Sequence, residues 1–379
     1  MRRNRKKIRQ KRSTLWLLAM ACSILTAIYI GSYYALLLPI FVMAVMHPWM
    51  KHEGGVAILT YHSVAPNADW LPWAKEISVT PEILDAQLTA LRRAGCSIIS
   101  TRNFLEARKN GTPLPKRPVI LHFDDGYYDN FVHARPILIT HNAAATFFAS
   151  TRFIEPSPRS YEALDGYMTR EELRDLHANP LFEVHPHGTD HGRVPVSDHQ
   201  IDILNEDNWR QNAWMTWAAQ EGSLHDWARK DAPAVPLGSP VFKSAPALAA
   251  VAVDETKDAH LERVRMTLQT ARDQFAELVP QSPADIFCWP QNVTVQTSRA
   301  IAADIGYIST TGGKGCNRPD EPADVLSRVH MGDRNFGFRS KTLDGVIALA
   351  TARAFHGNLY WSFLIFFAST VKKIVRKLS

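Results

Sequence analysis

Two aspartates stand side by side where an apolar run stops. Val119, Ile120 and Leu121 of VILHFDDGYYDN read as a buried strand, and the chain then passes through Asp124, Asp125 and Gly126. Adjacent carboxylates at a bending strand end aim in different directions, so one can face a cation while the other takes a proton. Downstream, EVHPHGTDH supplies His185, His187 and His191. His187 and His191 are spaced for one face of a helical turn, whereas His185 and His187 are spaced for one face of a strand. Two histidines and a carboxylate are a common ligand set for zinc and other borderline divalent ions. Such an ion lowers the pKa of its water from 15.7 toward about 7, and a nearby carboxylate then accepts the proton. Taken alone, each motif has a plain structural use: a capping aspartate in a strand-to-helix turn, and a polar loop of solvated histidines. A third strand end, His62 of VAILTYH, makes two such coincidences harder to sustain.

The elements that must carry these residues alternate. Val56–His62 reads as a strand, and TPEILDAQLTALRRAG as a helix with Thr80 as cap, Pro81 in its first turn, apolar Leu84, Leu88 and Leu91, and Gly95 as its stop. CSIIS, VILHF, AAATFFAS and LFEVH follow as strands, with a helix after Asp125 and another, TREELRDLHANP, capped by Thr169. Such alternation argues for a parallel sheet, open or closed into a barrel. Chemistry in these folds collects at the carboxyl ends of the strands. His62, the Asp124–Asp125 pair, the three histidines and the turn Trp289–Asn292 after DIFCW all stand there.

Charge is concentrated at the termini. Of the 43 Lys and Arg, eight lie in the first thirteen residues and four in VKKIVRKLS, leaving 31 in the rest of the chain against all 37 acids. A body with net negative charge is a poor nucleic-acid binder. Residues 14–46 contain no charged side chain and predict one tilted or Pro39-kinked transmembrane signal anchor, too long for the apolar core of a cleaved signal. A basic segment 1–13 kept in the cytoplasm would place the body on the extracytoplasmic side. Residues 341–379 predict a membrane-associated segment with a basic tail, because Leu359–Val371 is apolar but short for a span and suits an interfacial helix. Cys96, Cys288 and Cys316 define no disulfide framework, although an oxidising compartment permits a Cys288–Cys316 bridge.

Together these residues resemble the polysaccharide deacetylase family, the homology domain of chitooligosaccharide, peptidoglycan and poly-N-acetylglucosamine deacetylases. ILTYHSV, VILHFDDGYYDN and AAATFFAS follow the family's order from Ile58 to Phe153, and FEVHPHGTDH, FCWPQN and IGYISTTGG extend the likeness over about residues 55–340. The resemblance implies an α/β fold, an irregular (β/α) barrel, and removal of N-acetyl groups from an acetylated amino-sugar polysaccharide. It implies Asp125, His187 and His191 as ligands of a divalent ion, zinc first among them, and Asp124 as the general base. The backbone N–H of Gln291 would support the oxyanion, and His62 would be the general acid, as in a circularly permuted branch. His330 of LSRVHMGD competes for that last role.

The sequence also departs from the family. Gly188 stands where Ser or Thr is usual, His185 replaces a small residue, and Gln291 and Asn292 replace an aromatic and a glycine. Residues 193–280 form an insertion whose Trp209, Trp214 and Trp217 either stack on sugar rings as a lid or pack against the barrel. Two other functions remain open at this stage: an inactive, membrane-tethered glycan-binding module, and an O-acetyl esterase on the same scaffold.

Overall fold

The computed structural model describes residues 2–30, 37–51, 53–159 and 163–378, with side chains from Leu15 onward. Two helices open the chain, α1 (Arg2–Ile30) and α2 (Leu37–Met50). The body begins with β1 (Ala57–Tyr61), α3 (Ala74–Ile77), α4 (Pro81–Arg93), β2 (Ser97–Ile98), α5 (Thr101–Asn110) and β3 (Pro118–Phe123). It continues through α6 (Arg135–Thr140), β4 (Ala145–Ala149), α7 (Arg170–Ala178) and β5 (Phe182–Pro186). An antiparallel pair follows, β6 (Arg193–Ile203) and β7 (Pro240–Pro246), with α8 (Ala213–Ala219) between them. The last third holds α9 (Lys257–Leu278), β8 (Ile286–Phe287), α10 (Gln296–Ile305), β9 (Ser309–Gly313), β10 (Val325–Ser327), β11 (Val329–His330), α11 (Lys341–Phe355) and α12 (Trp361–Leu378).

Among the described strands, all pairings between named strands outside the β6–β7 ribbon are parallel. One sheet runs β11-β1-β3-β4-β5, with β2 beside the start of β3, and a second runs β10-β9-β8. The two are stitched into an irregular barrel at both edges. The Cys288 N–H donates to the Pro186 carbonyl between β8 and β5, and the chain itself steps from β10 to β11 through Arg328. This is the parallel (β/α) architecture that the alternation predicted.

Strand alternation divides the side chains. Leu59 and Tyr61, Leu121 and Phe123, Phe147, and Val184 pack outward under the helices in the main core. Their neighbours Thr60, His122, Thr146 and His185 point into the barrel, where all are buried. The helices begin as their sequences dictate: Thr169 and Glu172 close a capping box on α7, and the Ser100 hydroxyl accepts from Asn103 N–H at the start of α5.

The predicted transmembrane anchor needs correction. Instead of one spanning helix over 14–46, the structure has α1 and α2, with residues 31–36 of the expected anchor outside the described residues. Among the described residues, no helix is long and apolar enough to cross a membrane. Pro39 falls in the first turn of α2, where its missing N–H is tolerated, rather than kinking a longer helix. In the insertion, only β6, α8 and β7 stand off the barrel; α9 packs on β5 and α10 as a barrel helix. All four cysteines are free thiols.

Candidate active site

The motif at the end of β3 turns sharply. Asp125 and Gly126 both take left-handed backbone angles, φ 73° and 75°. A Cβ on Gly126 would stand 2.8 Å from the Ala149 methyl group, so only glycine fits beneath β4. The turn separates the two carboxylates. Asp125 Oδ1 lies 2.9 Å from His191 Nε2 and 3.1 Å from His187 Nε2. Asp124 instead pairs with a buried arginine, its Oδ1 accepting from Arg328 Nη1 at 2.7 Å.

His187 and His191 meet with their Nε2 atoms 2.8 Å apart. No helical turn brings them together: the segment is a loop bent at Gly188, whose φ of 88° explains glycine in place of the usual Ser or Thr. The loop is tied down by Thr151 N–H to the Gly188 carbonyl and by an Arg152–Asp190 ion pair at 2.8 Å.

This cluster has the character of a cation site. His187 Nδ1 lies 2.8 Å from the Cys288 carbonyl, which only accepts, so Nδ1 carries the proton and Nε2 presents a lone pair. That lone pair, His191 Nε2 and Asp125 Oδ1 converge, and the buried Asp125 oxygen makes no hydrogen bond of good geometry despite the two imidazoles beside it. Buried acceptors aimed at one point are costly unless a positive ion joins them. A second grouping, Asp124, His187 and Cys288, is less suited: burial pushes the Cys288 thiol well up, and Arg328 already occupies Asp124.

His62 and His330 both reach the site, because β1 pairs with β11 with Thr60 opposite His330. Their rings stack at 5.0 Å, and His62 Nε2 lies 3.8 Å from Asp124 Oδ2. His330 is the more exposed of the two and, among the described residues, forms no ion pair with a carboxylate. Burial lowers the His62 pKa against the pull of Asp125 and Asp124. Burial, with help from His62 and Arg328, takes His330 to about 4. Burial would raise the Asp124 carboxyl, but Arg328, then His187 and His62, hold it below the usual carboxylate range. Asp125 is likewise held well down against burial, chiefly by His191 and His187.

All of these groups line one cavity of about 510 Å³, roofed by Trp73, Tyr127, Trp214 and Trp217 and edged by Arg193 and Gln291. Gln291 sits in a left-handed turn at φ 58°, and its side chain accepts from Arg193. Of the insertion's tryptophans, Trp209 is buried in the packing beneath this roof, while half-buried Trp214 faces the cavity. His185 does not join the site. It lies inside the barrel, 4.0 Å from Glu183 and 3.9 Å from Asp285, and burial lowers its pKa to about 3.

Sequence reasoning missed Arg328, two residues before His330 in the very LSRVH segment it singled out. It also gave Asp129 and Asn130 no role, although they end the opening motif. Asp129 accepts from the Ser63 hydroxyl at 2.6 Å and from Val64 N–H at 3.1 Å, and Asn130 donates to the His62 carbonyl at 2.8 Å. These bonds fix the segment that carries His62.

Comparison with known proteins bears on the family likeness and the fold. Residues 111–229 match the family model described as polysaccharide deacetylase. A poly-β-1,6-N-acetyl-D-glucosamine N-deacetylase of Escherichia coli K12 is 29% identical over 147 residues, 37% of this chain and 21% of that protein. The likeness to the polysaccharide deacetylase family is carried by that segment, residues 111–229. The chain spans about a fifth of the length of that curated relative. Among solved structures, the BpsB deacetylase domain of Bordetella bronchiseptica aligns with a TM-score of 0.53 at 19% identity, covering 74% of this chain and 97% of that one. A de-N-acetylase of Aggregatibacter actinomycetemcomitans aligns with a TM-score of 0.52 at 18% identity, covering 72% and 94%. At those identities the structures speak for a shared fold, and any catalytic reading of this chain rests on its own residues.

Proposed function

We propose that this chain hydrolyses the N-acetyl groups of an acetylated amino-sugar polysaccharide, with Asp125, His187 and His191 holding a divalent ion. The observation that carries the reading is the division of the aspartate pair: one carboxylate joins two imidazole lone pairs, while its neighbour is kept ionised by Arg328 in the same cavity. A bound ion would acidify a water and polarise the acetamido carbonyl. Zinc suits the two-imidazole, one-carboxylate set.

Asp124 accepts the proton of the attacking water. Its low pKa keeps it available as a base, and Arg328 fixes its orientation through Oδ1, leaving Oδ2 toward His62. The backbone N–H of Gln291 donates to the oxyanion. His62 then delivers a proton to the leaving amine. The tie from Asn130 to its backbone and its 3.8 Å approach to Asp124 favour it over the more exposed His330. Trp214 and Tyr127 offer apolar faces for the sugar ring.

The E. coli relative's name points to β-1,6-linked N-acetylglucosamine as the first substrate to try. Purified full-length protein should release acetate from such oligomers, with activity lost to a chelator and restored by divalent ions. Release from O-acetylated but not N-acetylated sugars would make it an esterase. No release from any acetamido-glycan by metal-loaded protein would leave it a glycan-binding module.

A further inference from the structure

The two N-terminal helices carry apolar side chains on nearly every outward face. Leu18, Leu25 and Ile28 of α1 and Ile40, Phe41 and Val45 of α2 are all more than half exposed. Among the described side chains, α1 buries Ser23 and Ala27 and α2 buries Met50. A helix that is hydrophobic all round belongs inside a protein or inside lipid. Among the described residues, nothing in the body covers these faces.

The direction of the helices follows from their contacts. Trp16 stacks on Phe363 at 4.7 Å and meets Tyr360 edge-on at 5.5 Å, while His47 Nδ1 lies 3.1 Å from the Tyr360 hydroxyl. Residue 16 of α1 and residue 47 of α2 therefore stand at the same level. Since only six residues join Ile30 to Leu37, the helices run antiparallel, with Ile30 and Leu37 at the end far from Tyr360. At 1.5 Å per residue, Trp16–Ile30 reaches about 21 Å and Leu37–His47 about 15 Å, both short of the roughly 30 Å hydrocarbon core.

The near end of this hairpin has the chemistry of a membrane surface. Trp16 and Tyr360 meet there, and exposed Trp49 follows two residues after His47; aromatics gather in this way at the headgroup level. The Met50 carbonyl accepts from Leu359 N–H, which joins α2 directly to the start of α12. Helix α12 packs its Ala368 side on the body, with Val375 against Gly337, and turns Phe366, Phe367, Ile374 and Leu378 outward. Exposed Lys373, Arg376 and Lys377 lie among them, and the helix contains no acid. An amphipathic basic helix of this kind suits the surface of an anionic bilayer.

We propose that α1 and α2 form a lipid-embedded hairpin that enters and leaves the bilayer through one face, with α12 lying in the headgroups beside it. The basic segment before Trp16 and the catalytic body then share one side of the membrane. A single spanning anchor would put them on opposite sides. The proposal is independent of the catalytic reading.

Single-cysteine labelling with a membrane-impermeant maleimide tests it, in full-length protein carrying Cys22→Ser and Cys96→Ala, since Cys288 and Cys316 are buried. Sealed vesicles of both orientations are compared with detergent-solubilised protein. Asn4→Cys and Asn110→Cys should label from the same face, and Ile30→Cys should label only in detergent. Labelling of Asn4→Cys and Asn110→Cys from opposite faces would overturn the proposal in favour of one span. Labelling of Ile30→Cys from the far face would overturn it in favour of two. Protein that stays in solution as an oligomer without detergent would show the hairpin covered by other copies, and would overturn it as well.

Discussion

His185 and His187 leave β5 on the same side, two residues apart, and have opposite fates. The difference runs around the barrel as two layers. The upper layer, at the strand ends, holds His62, Asp124 and His187; the lower, below them on the same barrel-facing sides, holds Thr60 and His122, level with Thr146 and Glu183, and His185, opposite Phe148. Both layers are polar and buried. In the lower one the groups are spread apart: His122 Nε2 meets the Thr101 hydroxyl at 3.0 Å, Thr101 meets Thr146 at 2.7 Å, and Phe148 lies between His122 and His185. Burial holds both of these imidazoles neutral, each with pKa about 3. In the upper layer three lone-pair atoms converge and an arginine keeps the adjacent carboxylate charged. Residue type therefore does not make a site here; convergence does.

The sharpest break of this comparison is a matched pair of substitutions. His187→Gln should abolish both metal content and acetate release. His185→Gln should keep both, and lose about 1–3 kcal/mol of stability from a disturbed buried polar group. Metal analysis of the purified variants alongside turnover decides it; loss of metal in His185→Gln would merge the two layers into one site. Within the upper layer, Asp125→Ala should behave as His187→Gln does. Asp124→Asn should keep its metal while kcat falls by about 10²–10⁴, the usual worth of a general base. A fully active Asp124→Asn would remove the base from its assigned residue.

Arg328 sharpens the comparison through pH. Its charge holds Asp124 below the usual range, so the base stays ionised on the acid side. Arg328→Gln removes the largest opposing influence and lets burial raise the carboxyl, moving the acid limb of the kcat/KM profile to higher pH. The sign for stability follows. A carboxyl depressed in the folded state stabilises above its unfolded pKa, near 4, and that contribution disappears as pH falls through the lower folded value. The variant should therefore lose about 3–5 kcal/mol at neutral pH, where a buried charge is left unpaired, and less in acid. An unmoved acid limb would mean that Arg328 orients Asp124 without tuning it.

Much of the upper layer was legible in the sequence because each member ends a strand or follows one, and strand ends are marked by where apolar runs stop. The aspartate pair, His62, His187 and His191 all carry that mark. Arg328 does not, because β10 and β11 are two or three residues long and leave no readable period, so a buried arginine between them looks like a loop residue. His185 and His187 looked equivalent because alternation gives a face but not a depth. The helical spacing of His187 and His191 suggested the right neighbours for the wrong reason, since Gly188 makes the bend. Residues 14–46 showed how apolar the segment is, but not that it breaks into two helices held to the body by the aromatic cluster at Tyr360 and the Met50–Leu359 hydrogen bond.

The smallest expected effect tests the quiet layer. The Thr146 hydroxyl stands between Thr101 and Glu183, at 2.7 and 3.2 Å, one position from the core residue Phe147. Thr146→Val keeps the shape and removes the hydroxyl, leaving Thr101 with only His122 as a partner. If the lower layer serves packing alone, the cost should be about 1 kcal/mol in chemical denaturation, with metal content and kcat unchanged. A fall in kcat without a loss of stability would mean that this network reaches Asp124 through His122, and that the two layers act together.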